Sequence, residues 1–462
     1  METATTERTG TAYVPTLRNA DYEDLLGVLQ HNQAHKIDLI VPAEKLRFTE
    51  GMLVLEGQEM ILEEDGFTDP NASYWPTQIF DDQIAERLDI NTAYLRRLRH
   101  GRIVKGKLAY PARLDLWDAN VNGLLRGRKP LFSRPPVQSE EPLVKRSGVP
   151  ADPRSFFVRL IRPENGVGIA RALLSNRFAR LDNIDGLLAM LKGIQDAGVD
   201  PASLRIYGDL SETKMYVHVA APEILTAAPE LLAGYRSPFD TSAEANRRAS
   251  RGISDAERLR LGQLWREQGR RGLGDQQTHG MFEPGTEPIV HAGFLLTNSE
   301  VGAGRWQITP EITVLRCSNG LTMTKDAFAR THVGAKQDDG HIAWSEDTQS
   351  KELAYVTAQT RDVVKAVLSA DYLDAKVAEL TEQSGKEISE PEKTIEVVGK
   401  KLAFSKEEAE GILRHFLIGG QITTGGVMNA VTSFAQTVAD PDAAHDLGGR
   451  AVDAMHLAYQ LA

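Results

Sequence analysis

The stretch from His291 to Gly334, HAGFLLTNSEVGAGRWQITPEITVLRCSNGLTMTKDAFARTHVG, constrains the fold more than any other. Its Leu-, Ile-, Val- and Thr-rich runs are broken by Asn298-Ser299-Glu300-Val301-Gly302-Ala303-Gly304 and by Ser318-Asn319-Gly320. An Asn-Gly pair between apolar runs specifies a hairpin, because both central turn positions need positive φ. Two glycines in four residues let the upstream loop bend sharply, or let a neighbour approach the backbone closely. The stretch therefore predicts two or three antiparallel strands, with a hairpin over 313–324, followed by a short helix or loop carrying Arg330, Thr331 and His332.

The same pattern recurs upstream. Phe156 to Ile161 and Ile169 to Leu174 flank a Pro-Glu-Asn-Gly turn, and LRIYGDL and SETKMYVHVAA read as another hairpin. Ile37 to Val41 reads as a strand ended by Pro42, and MLVLEGQEMILEE as a hairpin around Gly57-Gln58. Residues 1 to about 20 lack periodicity and are expected to be disordered. A helix is expected over Tyr22 to Gln33, and another from Asn183 through Leu191. Ala109 to Ala119 and Leu124 to Pro136 read as strand or loop. After Gly340 the periodicity is helical: Ser350 to Leu368, Tyr372 to Thr381, a break at Glu387 to Lys393, Lys406 to Leu417 capped by Ser405, Val427 to Ala439, and Ala443 to Leu461. The fold class is thus α+β, a mostly antiparallel β-sheet core with flanking helices and a helical C-terminal region. Three segments are expected: 1–75, 76–345 with an Arg-rich insertion at 236–290, and 346–462.

Composition excludes several classes. No run approaches the roughly 18 apolar residues of a membrane span, and no basic-then-apolar leader opens the sequence. Cys317 is the single cysteine, so an internal disulfide and a multi-cysteine zinc site are both excluded, and a cytoplasmic setting is expected. There is no phosphate loop, no G-x-G-x-x-G after a strand, no H-E-x-x-H and no G-x-S-x-G. His279, His291, His332 and His341 have no metal-ligand spacing; only folding could gather His291, Glu300 and His332, so no metal and no cofactor are expected. Polar groups nevertheless collect at the strand ends of the opening stretch, where a rigid scaffold presents binding residues. Asn298, Ser299, Glu300, Arg305, Asn319, Arg330 and His332 form the predicted pocket, with ordinary turn chemistry as the alternative.

The net charge of −11 argues against a whole-surface polyanion binder, but the cations are unevenly spread. Twelve Lys/Arg stand against six Asp/Glu between Phe80 and Arg134, and eight arginines fall between Arg247 and Arg271. IFDDQIAERLDINTAYLRRL, at 79–98, has the spacing of two short helices capped at Thr77 and at Asn91 or Thr92, similar to a helix-turn-helix. Arg96, Arg97 and Arg99 lie on or just past its second helix; Arg126, Arg128 and Lys129 follow in a basic run. Arg159, Arg171 and Arg177 alternate with apolar residues, which could put cations on one sheet face. With Arg247, Arg248 and Arg251 of the insertion they make up the predicted nucleic-acid-binding set, and a solvated basic surface is the alternative.

NSEVGAGRWQITPEITVLRCSNGL (298–321), ARALLSNRFARLDN (170–183) and GGQITTGGVMNAVTSFAQ (419–436) resemble the phage/plasmid-like protein family, known only as domain of unknown function nine hundred and thirty-two. The resemblance spans roughly 75 to 440, is sharpest in NSEVG and C-x-NGL, and breaks at the Arg-rich 236–290. It implies a bacteriophage, prophage or plasmid setting in a bacterial host cell and supplies no catalytic residues. The function expected from resemblance and cations together is a self-assembling, homo-oligomeric factor that binds or anneals single-stranded DNA in recombination or replication. The alternatives are an enzyme with its site at the NSEVG/SNG end of the sheet, and a structural or host-interaction oligomer. With no complete catalytic motif, the non-enzymatic reading stands first.

Overall fold

The computed structural model describes residues 15–63, 66–104, 107–127, 131–133, 144–146, 150–162, 167–232, 235, 288–314, 320–322, 327–330, 340–341 and 346–462. Arg128, Lys129, Arg247, Arg248, Arg251, Asn319, His332, Cys317 and the bulk of the 236–290 insertion lie outside them.

The fold is α+β, built on two seven-stranded sheets. The first is antiparallel throughout. Leu17–Asp21, Arg205–Leu210, Met215–Ala227, Ile289–Asn298, Trp306–Val314 and Gly320–Thr322 follow one another in space, and Phe328–Arg330 also pairs with Trp306–Val314. The predicted hairpin pairs as expected: Glu311 to Thr313 face Thr322 to Gly320, although the turn itself lies outside the described residues. The second sheet has the order Gly340–His341, Lys36–Pro42, Ser155–Ile161, Val167–Ser175, Ser73–Pro76, Met52–Val54, Arg47–Thr49. Its one parallel pairing sets Ser73–Pro76 beside Val167–Ser175.

Alternation sorts the first sheet into two faces. Met215, Val217, Val219, Phe294, Leu296, Ile308 and Ile312 join the larger core, against helices Asn183–Asp196 and Glu346–Val367. The C-terminal helices Ala370–Ser384, Pro391–Lys401, Lys406–Gly419, Thr424–Ala435, Pro441–Gly448 and Ala451–Leu461 extend that core through Leu373, Ile395, Phe416, Val431, Leu447 and Met455. A second core lies on the other sheet, where Trp117, Val121 and Leu125 of helix Leu114–Leu125 meet Phe48, Phe80 and Phe156. No helix among the described residues is long and apolar enough to cross a membrane.

Several expectations are corrected. Residues 17–20 are not disordered, because Leu17–Asp21 is the edge strand of the first sheet. The hairpin around Gly57-Gln58 does not form. Met52–Val54 turns back on Arg47–Thr49 through Glu50 and Gly51, both at positive φ (54° and 77°), and Ile61–Glu63 pairs with Gly66–Thr68. The strand or loop expected near 109–125 is largely a helix, since Trp117, Val121 and Leu125 recur every four residues and bury together. The break at 387–393 opens a helix instead, with Pro391 at its first position, where a missing N–H costs nothing.

Candidate functional site

On the far side of the first sheet, alternation brings polar groups together. Tyr207 faces His218 in register, Asp209 faces Tyr216, and Glu311 stands opposite Gly293 and Thr322. A bare polar face would be solvated, but helix Pro441–Gly448 covers it. Asp440 caps that helix by accepting from the Ala443 N–H, and Pro441 fits its first position. Asp442 in the first turn clamps it to the sheet, accepting from Ser211 Oγ (2.9 Å), Tyr216 OH (2.9 Å) and Thr213 Oγ1. One turn later His445 lies flat on Tyr216, ring centroids 3.8 Å apart at 8°.

The four rings form a ladder. Tyr207 stacks on His218 (4.8 Å), His218 on His445 (5.1 Å), and His445 on Tyr216. His445 Nε2 donates to Asp209 Oδ2 at 2.8 Å, while Arg18 pairs with the same oxygen and the Asn19 N–H donates to Oδ1 at 2.6 Å. His218 Nδ1 lies 2.8 Å from Glu311 Oε2 and donates to it, which leaves Nε2 as the ring's lone pair. That nitrogen is buried and has no hydrogen-bond partner.

Electrostatics fix the charge states of Asp209 and His445. Burial opposes ionisation of Asp209, but the hydrogen bond from His445 and the Arg18 guanidinium outweigh it and keep the carboxyl well below the usual range. Burial pushes His445 down to about 4, against the pull of Asp209, so the imidazole is neutral at pH 7. Asp209, His218 and His445, with ligand atoms all within 4.8 Å of one another, form a two-histidine, one-carboxylate set. Glu311 behind His218 is the carboxylate–histidine arrangement that fixes tautomer and orientation at metal sites. From the sequence no metal was expected, and only His291, Glu300 and His332 were weighed as a set. Glu300 is bound to Arg171 and the Asn183 N–H, and His332 lies outside the described residues. Asp209, His218 and His445 escaped notice because they have no local spacing; Asp209 and His445 are 236 positions apart.

The other predicted residues divide by burial. Arg99, Arg159 and Arg171 are not on an exposed cationic face; each is buried against carboxylates. Arg99 pairs with Asp81, Arg159 with Asp38 (2.7 Å) and Asp182 (2.8 Å), and Arg171 with Glu300 (2.9 Å). A charged group this deep needs such partners; Arg159 and Arg171 point inward from strands and Arg99 from the helix Thr92–His100. Arg96 is exposed but held by Asp82, and Arg97, Arg126 and Arg177 are exposed. Thr77 and Asn91 cap their helices as predicted, Asn91 rather than Thr92 taking the second.

The NSEVG segment is a latch, not an open pocket. Asn298 Nδ2 donates to Leu181 O and Asn183 Oδ1, Ser299 Oγ to Thr213 O, and Val301 is fully buried. Gly302 has φ +73°, and a Cβ there would meet Leu174 at 2.7 Å, so both reasons offered for a glycine hold. Asn298 and the exposed Arg305 do line a cleft of about 420 Å³ beside His445. Arg330 lies in a described strand, Phe328–Arg330.

No family model, no curated protein and no solved structure matches this chain.

Proposed function

We propose that the protein is a metal-dependent enzyme whose centre is a divalent transition-metal ion held by Asp209, His218 and His445. The observation that carries this reading is the buried, unpartnered Nε2 of His218, aimed at Asp209 and His445 and set by Glu311. Leaving a buried imidazole nitrogen unpaired costs about 1–3 kcal/mol, so a site that keeps one favours a ligand that takes its lone pair. Three protein ligands leave coordination positions open, which separates catalytic from closed structural sites. A pocket of about 60 Å³ next to the set, bordered by Tyr207, Thr322 and Gly449, gives those positions room.

Metal binding would displace Arg18 from Asp209 Oδ2 and break the hydrogen bond from His445 Nε2 to that oxygen, with the His445 proton moving to Nδ1 so that Nε2 presents its lone pair. The nucleic-acid role suggested by the resemblance has lost its sheet-borne arginines to buried ion pairs and is the weaker reading. Binding of a labelled single strand at low salt, weakened by Arg97→Ala and Arg126→Ala, would restore it.

The test is titration of the full chain with cobalt(II), read by visible absorption, and with zinc by calorimetry. One equivalent should bind. His218→Ala should abolish binding, and Glu311→Gln should weaken it about 10- to 100-fold, the usual cost of removing such a support. Absence of uptake by the wild-type chain, or unchanged uptake by His218→Ala, would refute the centre.

A further inference from the structure

We infer that the 420 Å³ cleft beside the metal centre receives a small molecule carrying an oxyanion, phosphate or carboxylate, which it presents to the metal. The inference rests on the proposed centre for the metal's part and on the cleft's own charge for the anion's.

The cleft and the smaller pocket share His445, Thr322 and Gly449, so the cleft adjoins the ligand set at His445. Its lining carries Lys214, Arg305 and Arg450 against one carboxylate, Asp446. That reverses the sign of a chain whose net charge is −11. Concave surfaces of one sign concentrate counter-ions, so this local excess selects anions. None of the three cations is paired with a carboxylate among the described residues. Arg305 Nε donates to Gln307 Oε1 at 3.1 Å, and Arg450 is anchored on the Asp446 and Leu402 carbonyls. Backbone anchoring leaves the Arg450 charge uncancelled and holds it in place before any ligand arrives.

The remaining lining sets the rest of the ligand. Thr297, Thr309 and Gln307 offer neutral hydrogen-bonding groups, and Leu295 with the Tyr216 ring forms an apolar floor. Small-molecule sites have this mixture, an apolar body with a few placed polar groups. The cleft therefore suits a compact molecule whose oxyanion meets Lys214 and Arg305 and whose body lies on Tyr216.

Calorimetry with inorganic pyrophosphate and, separately, citrate tests this on the full chain, zinc-loaded and metal-stripped. At least one anion should bind the metal-stripped protein and bind more tightly when zinc is present. Whichever binds identifies phosphate or carboxylate as the preferred group. The double variant Lys214→Glu/Arg305→Glu should weaken anion binding at least 10-fold while cobalt uptake stays within two-fold of wild type. Cobalt uptake without anion binding would overturn the cleft assignment and leave the centre standing. Anion binding equal in wild type and double variant would overturn it too, by placing the anion on the metal alone. Anion binding lost in the double variant, in a protein that takes up no metal, would support the cleft while refuting the centre.

Discussion

At His445, burial and hydrogen bonding pull in opposite directions, and burial wins. Its pKa falls to about 4 from an ordinary value near 6.5. The sign of the consequence follows from linkage. The unfolded chain takes up a proton at this position as pH drops below 6.5, while the folded chain does not until about 4, so His445 destabilises the fold progressively across that window. Between pH 7 and pH 5 the contribution is about 2 kcal/mol. In urea denaturation, His445→Gln should therefore lose about 2 kcal/mol less stability than wild type over that interval. Equal losses in the two proteins would show that His445 titrates normally. This residue also marks where sequence reading stopped. Nothing in PDAAHDLG distinguishes His445 from any exposed helical histidine, because its partners Asp209, Tyr216 and His218 come from two distant strands. The hairpin of LRIYGDL and MYVHVAA was legible, and in the structure its alternation puts Tyr207, Asp209, Tyr216 and His218 on one face. What stayed hidden is that a helix covers that face.

The Asn298–Gly304 turn belongs to both sheets. It ends Ile289–Asn298 of the first, while Val301 packs on Ile40, Phe157, Ala172 and Leu174 of the second, and Gln83 Nε2 donates to Val301 O at 2.6 Å. Glu300 fixes its direction by accepting from Arg171 Nη1 and from the Asn183 N–H that opens the 183–196 helix. Glu300→Ala leaves Arg171 buried without its carboxylate. Breaking one partner of a buried pair costs about 3–5 kcal/mol, and the loss should appear as a fall in the urea midpoint without loss of secondary structure at low urea. A midpoint shift under 1 kcal/mol would mean that water replaces the carboxylate. At this scale the sequence was most legible. Glycine and asparagine chemistry located the turn, and Ser405 and Asn91 located helix starts. Which way the polar groups of the turn point was not legible, because Glu300 faces inward only by virtue of an arginine 129 positions away. The 114–125 helix was misread for a related reason: RLDLWDANVNGLL carries Asp, Asn and Gly, and only burial of Trp117, Val121 and Leu125 overrides them.

Two hydrophobic cores divide the molecule, one between the antiparallel sheet and the C-terminal helices, the other between the second sheet and the 78–125 helices. They meet at a small apolar cluster beside a buried ionic hub. Arg159 of the second sheet is the centre of the hub. Its guanidinium reaches Asp38 on the adjacent strand, and Asp182 and the Glu300 carbonyl on the side of the first sheet. Lys36 and Arg180 add further pairs to Asp182 and Asp38. Hydrogen bonds of this number satisfy the charges, and they also make the two halves open together, since separating them strands carboxylates in an apolar seam. Arg159→Ala should uncouple the halves. Native-state hydrogen exchange should then show faster opening of Lys36–Pro42 and Ser155–Ile161, by an amount on the order of 3 kcal/mol. Ile289–Asn298, whose ladder bonds run only within the first sheet, should keep its wild-type protection. An equal fall in both sheets would mean that the chain unfolds as one unit regardless of the hub. Equal protection in wild type and variant would mean that the apolar cluster around Phe157 and Val301 alone holds the halves together. The proposed metal centre gives this an independent check. Asp209, His218 and His445 all lie on the first-sheet side, so Arg159→Ala should leave cobalt uptake unchanged while it loosens the second sheet.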